Sequence, residues 1–300
     1  FYSGIGIKYY DDRLDLNDMG YLILNDRFMF NGRTQFKRTT FQEGSVLRSR
    51  LFEIGYGSKF NVDSERESSN FALKLENNFV NLSEIKAEVF YRSTGRNTRI
   101  TRGSKLAPFI KMPKGMGGYI DFTGPRRPTY VYGLRFERGR GSEHSPELGW
   151  GTKSRGYLKY MPTDTLSFSL TYQHQRENEW LNWYGDNLLA TFQRKQRTSI
   201  VEMEWFRNNI HELRIKAQMV AFTGREPQSF LGDLSGNLNP EDIYIPPITI
   251  SELAFQVRYR YEIMPLSYLY IVYSKGGRVS MQDDEDGLFS LYRRSWDSPE

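Results

Sequence analysis

The segment HELRIKAQMVAF at 211–222 sets Leu213, Ile215, Ala217, Met219 and Ala221 against Glu212, Arg214, Lys216 and Gln218. Side chains of an extended chain point alternately to its two faces, so this segment predicts a strand with one apolar and one charged face. The same alternation governs LSFSLTY at 166–172, IKAEVFYR at 85–92, ELAFQVRYRYE at 252–262, YVYGLRFE at 130–137, FALKLE at 71–76 and SIVEMEW at 199–205. No helical period is read anywhere, so the chain is predicted to be all-β. Strands are expected at 3–11, 27–40, 46–60, 67–80, 84–95, 117–123, 129–140, 149–161, 165–177, 188–207, 211–222, 249–262 and 266–275.

Tight connections around TFQEGS, VNLS, GPRRP, PTD, RNNI and IMPLS tend to alternate with larger ones at 96–116, 141–148, 178–187, 223–248 and 276–287, while 61–66 is of middling length. Short turns at one end and long loops at the other predict an antiparallel up-and-down transmembrane β-barrel of about 14 strands, forming one domain over 1–300. The apolar faces would then meet lipid and the charged faces a lumen. With tight turns in the periplasm, the N-terminus lies there too. LFSLYRRSW at 288–296 is the one candidate for a fourteenth strand, cut short by DSPE. Trp150 and Trp205 are candidates for the aromatic girdle. A soluble β-sandwich or barrel would explain the alternation equally well. Glu202, Glu204, Arg258 and Arg260, however, make poor filling for a dry interior.

Composition adds exclusions. There is no cysteine, hence no disulfide framework and no thiolate metal site. No apolar run is long enough for a transmembrane helix, which leaves a barrel open because its strands hide lipid-facing residues at every second position. The net charge of +5 is mild and Lys and Arg interleave with Asp and Glu, which argues against a nucleic-acid partner. The opening FYSGIGIKYY shows no leader, so a signal peptide removed or a longer parent protein is expected.

Candidate chemistry is sparse. His144, His174 and His211 fall in a loop, near an outer strand end and at a turn, a poor basis for a triad or metal site. Glu84/Glu88, Glu202/Glu204 and Glu252/Glu262 are carboxylate pairs, but the same strands carry cations, so lumen structure is favoured over catalysis. The expected lumen lining is Lys86, Glu88, Arg135, Glu202, Glu204, Arg214, Lys216, Arg258 and Arg260. Acidic tips at 11–20, with Asp15, Asn17 and Asp18, and at 281–287 do not match a calcium loop. The glycine-rich 139–151 lies between strands and is no phosphate cradle. No cofactor or metal is expected.

Two loops are too long to be simple turns. The 96–116 loop carries Arg96, Arg99, Arg102, Lys105, Lys111 and Lys114 with Leu106, Phe109 and Ile110. It would either plug the lumen, through Arg99, Arg102, Lys105 and Lys111, or lie outside against anionic lipopolysaccharide. The 223–248 loop is stiffened by Pro240, Pro246 and Pro247, suiting a gate or docking surface. At 178–187, Trp180, Trp183 and Tyr184 read as a sugar-stacking platform or as an anchor at the outer lipid interface.

DLNDMGYL at 15–22, TRGSKLAP at 101–108 and above all FQVRYRYEIMPLSYLYIVYSKGG at 255–277 carry a resemblance. They resemble the C-terminal barrel domain of bacterial outer-membrane proteins whose N-terminal domain looks like a family-nine carbohydrate-binding module. The resemblance spans nearly all of the chain. It implies a periplasmic carbohydrate-binding-like domain before residue 1 and one more aromatic-ended strand after SWDSPE. It transfers no catalytic or sugar-binding residue. The expected function is an outer-membrane channel or membrane platform linked to saccharide uptake, not an enzyme. The alternatives are a plugged scaffold for a partner protein or secretion assembly, and an outer-membrane hydrolase.

Overall fold

In a computed structural model the protein is all-β with one short helix. The structure describes residues 1–11, 27–61, 65–140, 148–208, 210–281 and 288–298. Its strands in chain order are β1 (Tyr2–Tyr10), β2 (Arg27–Arg38), β3 (Leu47–Phe60), β4 (Arg66–Phe79), β5 (Glu84–Arg92), β6 (Gly95–Asn97), β7 (Ile110–Met112), β8 (Gly115–Thr123), β9 (Tyr130–Arg140), β10 (Trp150–Thr163), β11 (Leu166–Gly185), β12 (Leu188–Arg207), β13 (His211–Gly232), β14 (Leu238–Glu241), β15 (Ile248–Met264) and β16 (Ser267–Met281). One antiparallel sheet runs β1-β2-β3-β4-β5-β8-β9-β10-β11-β12-β13-β15-β16, with β14 on the end of β13, while β6 and β7 form a separate pair. Each long strand therefore pairs with the next long strand, a barrel-like meander. Among the described residues no ladder joins β1 to β16.

Which face is sheltered is decided on β8 and β9. Ile120, Leu134 and Phe136 on the apolar face are 54–63% exposed, whereas the side chains of Asp121, Arg135 and Glu137 on the other are 31–37% exposed. Val89, Tyr91 and Phe71 are likewise exposed, while Lys74, Glu76 and Glu84 are largely covered. A water-soluble sheet shows the reverse. On β13 the contrast fades. Arg214 and Lys216 are exposed, and Leu213 and Ile215 are half-buried by their cross-strand neighbours Trp205, Tyr259, Met203 and Val257.

Strand lengths divide the sheet. β1–β5 and β8–β10 have 9–14 residues, but β11, β12 and β13 have 20, 20 and 22. At about 3.3 Å per residue the latter run roughly 65–75 Å, well beyond their neighbours. The pairing slips between Glu177 and Trp180 and between Thr191 and Gln193, so the ladders of the long strands are interrupted there. Residues 178–185 of the loop expected at 178–187 and 223–232 of the loop expected at 223–248 are thus the upper parts of β11 and β13. Their alternation is masked because both faces are packed. Leu181 and Leu189 belong to one buried cluster, and Ala190, Phe192 and Ile245 to another.

The expected fourteenth strand at 288–296 is instead a helix, α1 (Leu288–Asp297). The segment lacks alternation, with Arg293 beside Arg294, whereas Leu291, Tyr292, Ser295 and Trp296 recur at helical spacing on one face. Leu291 and Ser295 are fully buried, and Trp296 packs edge-on to Phe255 with centroids 5.6 Å apart. Lys275 Nζ lies 4.6 Å from the Trp296 ring centre. α1 therefore lies on the apolar face of β15 and β16. Gly277 makes this possible, since a β-carbon there would overlap the Ser295 carbonyl.

Replacing Gly277 with Val is expected to lift α1, at a cost of about 1–3 kcal/mol for the overpacked contact. Trypsin cleavage after the exposed Arg293 and Arg294 should accelerate several-fold over the parent protein. An unchanged cleavage rate would show that α1 does not depend on this approach.

Candidate functional site

The strand registers bring all nine expected lining residues to one face. Lys86 faces Asp121, which faces Arg135; Glu202 faces Lys216; Glu204 faces Arg214; and Arg214 faces Arg258. The pairs interlock. Lys86 Nζ is 2.9 Å from Glu84. Glu88 accepts from Tyr119 Oη at 3.2 Å. Arg135 bridges Asp121 and Glu137 at 3.6 and 3.4 Å, with its guanidinium 3.8 Å from the Tyr119 ring centre. Glu202 accepts from Lys216 at 2.8 Å and from Ser169 at 3.1 Å. Arg258 and Arg260 stand 4.9 Å over the rings of Tyr270 and Tyr268. Such a ladder holds a polar surface in place.

One member of this face was not singled out from the sequence. Glu212 is 4% exposed and bonds Arg214 on its own strand and Arg260 at 2.9 Å on β15. A carboxylate can be buried only if its oxygens are satisfied, and here two guanidiniums do so. The signal that would have found it is register. Glu212 sits directly opposite Arg260 next to a tight turn.

The 96–116 region forms a roof. β6 lies against β4, where Gly95 is needed because a β-carbon would overlap the Glu67 backbone, and Arg96 pairs with Glu65. From there the chain crosses to the tall strands, five places along the sheet from β5 to β12. Ile110 is fully buried with Leu181 and Leu189, flanked by Ile100, Leu148, Trp183 and Leu238. The Lys111 N–H donates to the Gly236 carbonyl at 2.8 Å, and Lys111 Nζ to Asn237 Oδ1 at 3.0 Å. Asn237 is held in turn by Asp233, which accepts its backbone N–H at 2.8 Å and its amide at 2.9 Å. These bonds keep the Asp233 carboxyl below the ordinary aspartate range. Of the four expected plug cations, Arg99 lines a cleft beneath the roof and Lys105 is exposed. Arg102 stacks on Trp183 at 5.1 Å and Lys111 anchors the far end.

The aromatic trio is built into the tall strands. Trp180 packs against Phe192 and Phe222 with Arg194 over its ring, and Trp183 Nε1–H donates to the Asp186 carbonyl at 3.0 Å. Tyr184 keeps the most open surface of the three. Trp150 stands at the start of β10 under Arg138. His211 stacks on Tyr259 and Tyr261, and His174 is half-buried on β11. His144, Asp15, Asn17, Asp18 and most of 139–151 and 281–287 lie outside the described residues. Among the described residues no cluster of three His, Cys, Asp or Glu could hold a metal ion.

Burial separates the ion pairs energetically. Glu212→Gln should destabilise the protein by about 2 kcal/mol, because Arg260 stays covered and loses its counter-charge. Glu202→Gln, whose partnership with Lys216 is half exposed, should cost under about 1 kcal/mol. Denaturant unfolding of the purified variants reads the difference, and equal losses would refute the buried-hub role of Glu212.

No protein-family model matches the chain, and no curated protein or solved structure is found similar to it.

Proposed function

We propose that this chain is a transmembrane β-barrel of the bacterial outer membrane, N-terminus in the periplasm, in which the 95–112 segment roofs a charged lumen and gates passage of a charged solute. The observation that carries the reading is the inverted exposure, with hydrocarbon outward and charge sheltered. Lipid outside and water inside favour that arrangement, since a closed barrel leaves no backbone group unsatisfied in hydrocarbon. Closure to about 14 strands and contact with outer-membrane lipid and lipopolysaccharide belong to this proposal. The tight turns at 80–83, 164–165 and 265–266 mark the periplasmic end, and the roof and tall strands the outer end. A link to saccharide rests on the resemblance at 255–277 alone. The trio Trp180, Trp183 and Tyr184 adds little to it, because all three rings are engaged within the protein, Trp180 under Arg194, Trp183 under Arg102 and Tyr184 against Phe192.

A second reading is favoured by the tall strands β11–β13. Packed on both faces, they form a rigid paddle suited to docking a partner protein on a permanently roofed scaffold.

Planar-bilayer recording decides between them. The parent protein should conduct little. Ile110→Ala, which removes the buried anchor of the roof at a local cost of about 2–4 kcal/mol, should raise open probability. Deletion of 96–116 should raise it further. Arg258→Glu in the opened variant should shift selectivity towards cations. Silence in all of these would remove the channel and leave the scaffold. Extraction of the protein from membranes by urea or carbonate would remove both.

A further inference from the structure

On the apolar face of β9–β12 the hydrocarbon stops at one level, and the strand registers fix that level. Tyr132, Leu158, Leu170 and Val201 form a row across the four strands. Leu134, Gly156, Tyr172 and Ser199 form the next row up, and Phe136, Ser154, His174 and Arg197 the one above it. The following row is Arg138, Thr152, Arg176 and Lys195. Over four residues of each strand, roughly 13 Å, the same face therefore passes from hydrocarbon to cations. Arg138 and Arg176 are exposed, and Lys195 and Arg197 are half-buried. Arg138 also lies 5.4 Å from the ring centre of Trp150, an aromatic placed at the same boundary.

The helix α1 marks this level independently. Tyr292 Oη donates to the Arg197 carbonyl at 3.5 Å, Ser295 abuts Gly277 and Trp296 packs on Phe255. Through the registers, Gly277 belongs to the Ser199 row and Phe255 to the Val201 row. α1 thus lies across the apolar face just where the hydrocarbon ends, with Arg293 exposed. A helix with Tyr and Trp against an apolar surface and arginine on its open side is of the kind that lies in a lipid head-group layer.

An outward position on a barrel strand faces lipid, where a cation is unfavourable in hydrocarbon and favourable against phosphate. Arg176 and Lys195 stand opposite each other, about 5 Å apart at one strand spacing, and Arg138 is two spacings, about 10 Å, from Arg176. Arginine forks take phosphate oxygens two at a time, and lysine adds a point charge. We propose that Arg138, Arg176, Lys195 and Arg197, continued by Arg293 of α1, form a docking surface for the phosphates of lipopolysaccharide in the outer leaflet. This inference rests on the membrane reading and deepens it, by naming the residues of the lipid contact and setting the upper limit of the hydrocarbon between the Tyr172 and Arg176 levels. It does not require conduction.

The test has two stages. The full chain, purified in detergent, is first reconstituted with neutral phosphatidylcholine vesicles, with which it should float and resist extraction by carbonate. Failure at this stage removes the membrane reading and the docking surface together. Lipopolysaccharide, and in parallel its dephosphorylated form, is then titrated against the detergent-solubilised chain at constant ionic strength. Saturable binding of lipopolysaccharide is expected, weaker by roughly tenfold or more for the dephosphorylated form. Arg138→Gln with Arg176→Gln, both at exposed positions where folding is not at risk, should also weaken binding roughly tenfold or more, and adding Lys195→Gln should weaken it further. Lys153→Gln with Arg155→Gln removes the same charge from the opposite face of β10 and should leave binding unchanged. Equal losses in the two double variants, or undiminished binding of the dephosphorylated form, would overturn the docking surface. A chain that inserts into neutral vesicles and binds no lipopolysaccharide overturns it too, and leaves the barrel reading standing.

Discussion

Pleating sends consecutive side chains to opposite sides of a strand, and hydrogen bonding to two neighbours leaves the backbone little choice of orientation. In this protein that constraint acts along every long strand at once. Hydrocarbon gathers on one side of the sheet and charge on the other, so each side must find a different surrounding. The charged side is served by its own cross-strand partners, with Glu212 between two guanidiniums and Arg135 between two carboxylates. The apolar side is left open over most of β1–β10.

The two sides also differ in what holds them. Pairs such as Lys216–Glu202 are half in solvent and contribute little individually. Firmness comes from burial at a few points: Glu212 at one end, the Ile110 and Phe192 clusters at the other. The roof is thus attached by a small dry core at its far end and by charge at its near end, two attachments with different sensitivities to salt.

Most strands were legible because their alternation is unbroken, and β12 was placed to the residue. What failed did so for physical reasons. The upper halves of β11 and β13 carry Trp, Leu and Phe on both faces, so period two vanishes where a strand is packed from both sides. α1 is only ten residues long, and its stripe from Leu291 to Trp296 is too short to stand out from a chain rich in aromatics. The nine charged residues expected to line a lumen could be assigned to one face from parity alone. The clustering of Arg27, Lys59 and Arg92 in the cleft beneath the roof could not, because it depends on the register between strand ends and on a roof whose path is set by the contacts of Ile110 and Gly95.

The path from β1 to β16 passes through thirteen strands, each reversed with respect to the last. An odd number of reversals-plus-one means that the first and last strands point the same way. Their free edges therefore offer amide groups with equal polarity, and a direct seam between them would be parallel, with slanted bonds unlike every other ladder in the molecule. Any segment lying between them would run counter to both. Tyr268 to Tyr273 on one margin, and Ile5, Ile7 and Tyr9 on the other, would flank that seam with exposed hydrocarbon.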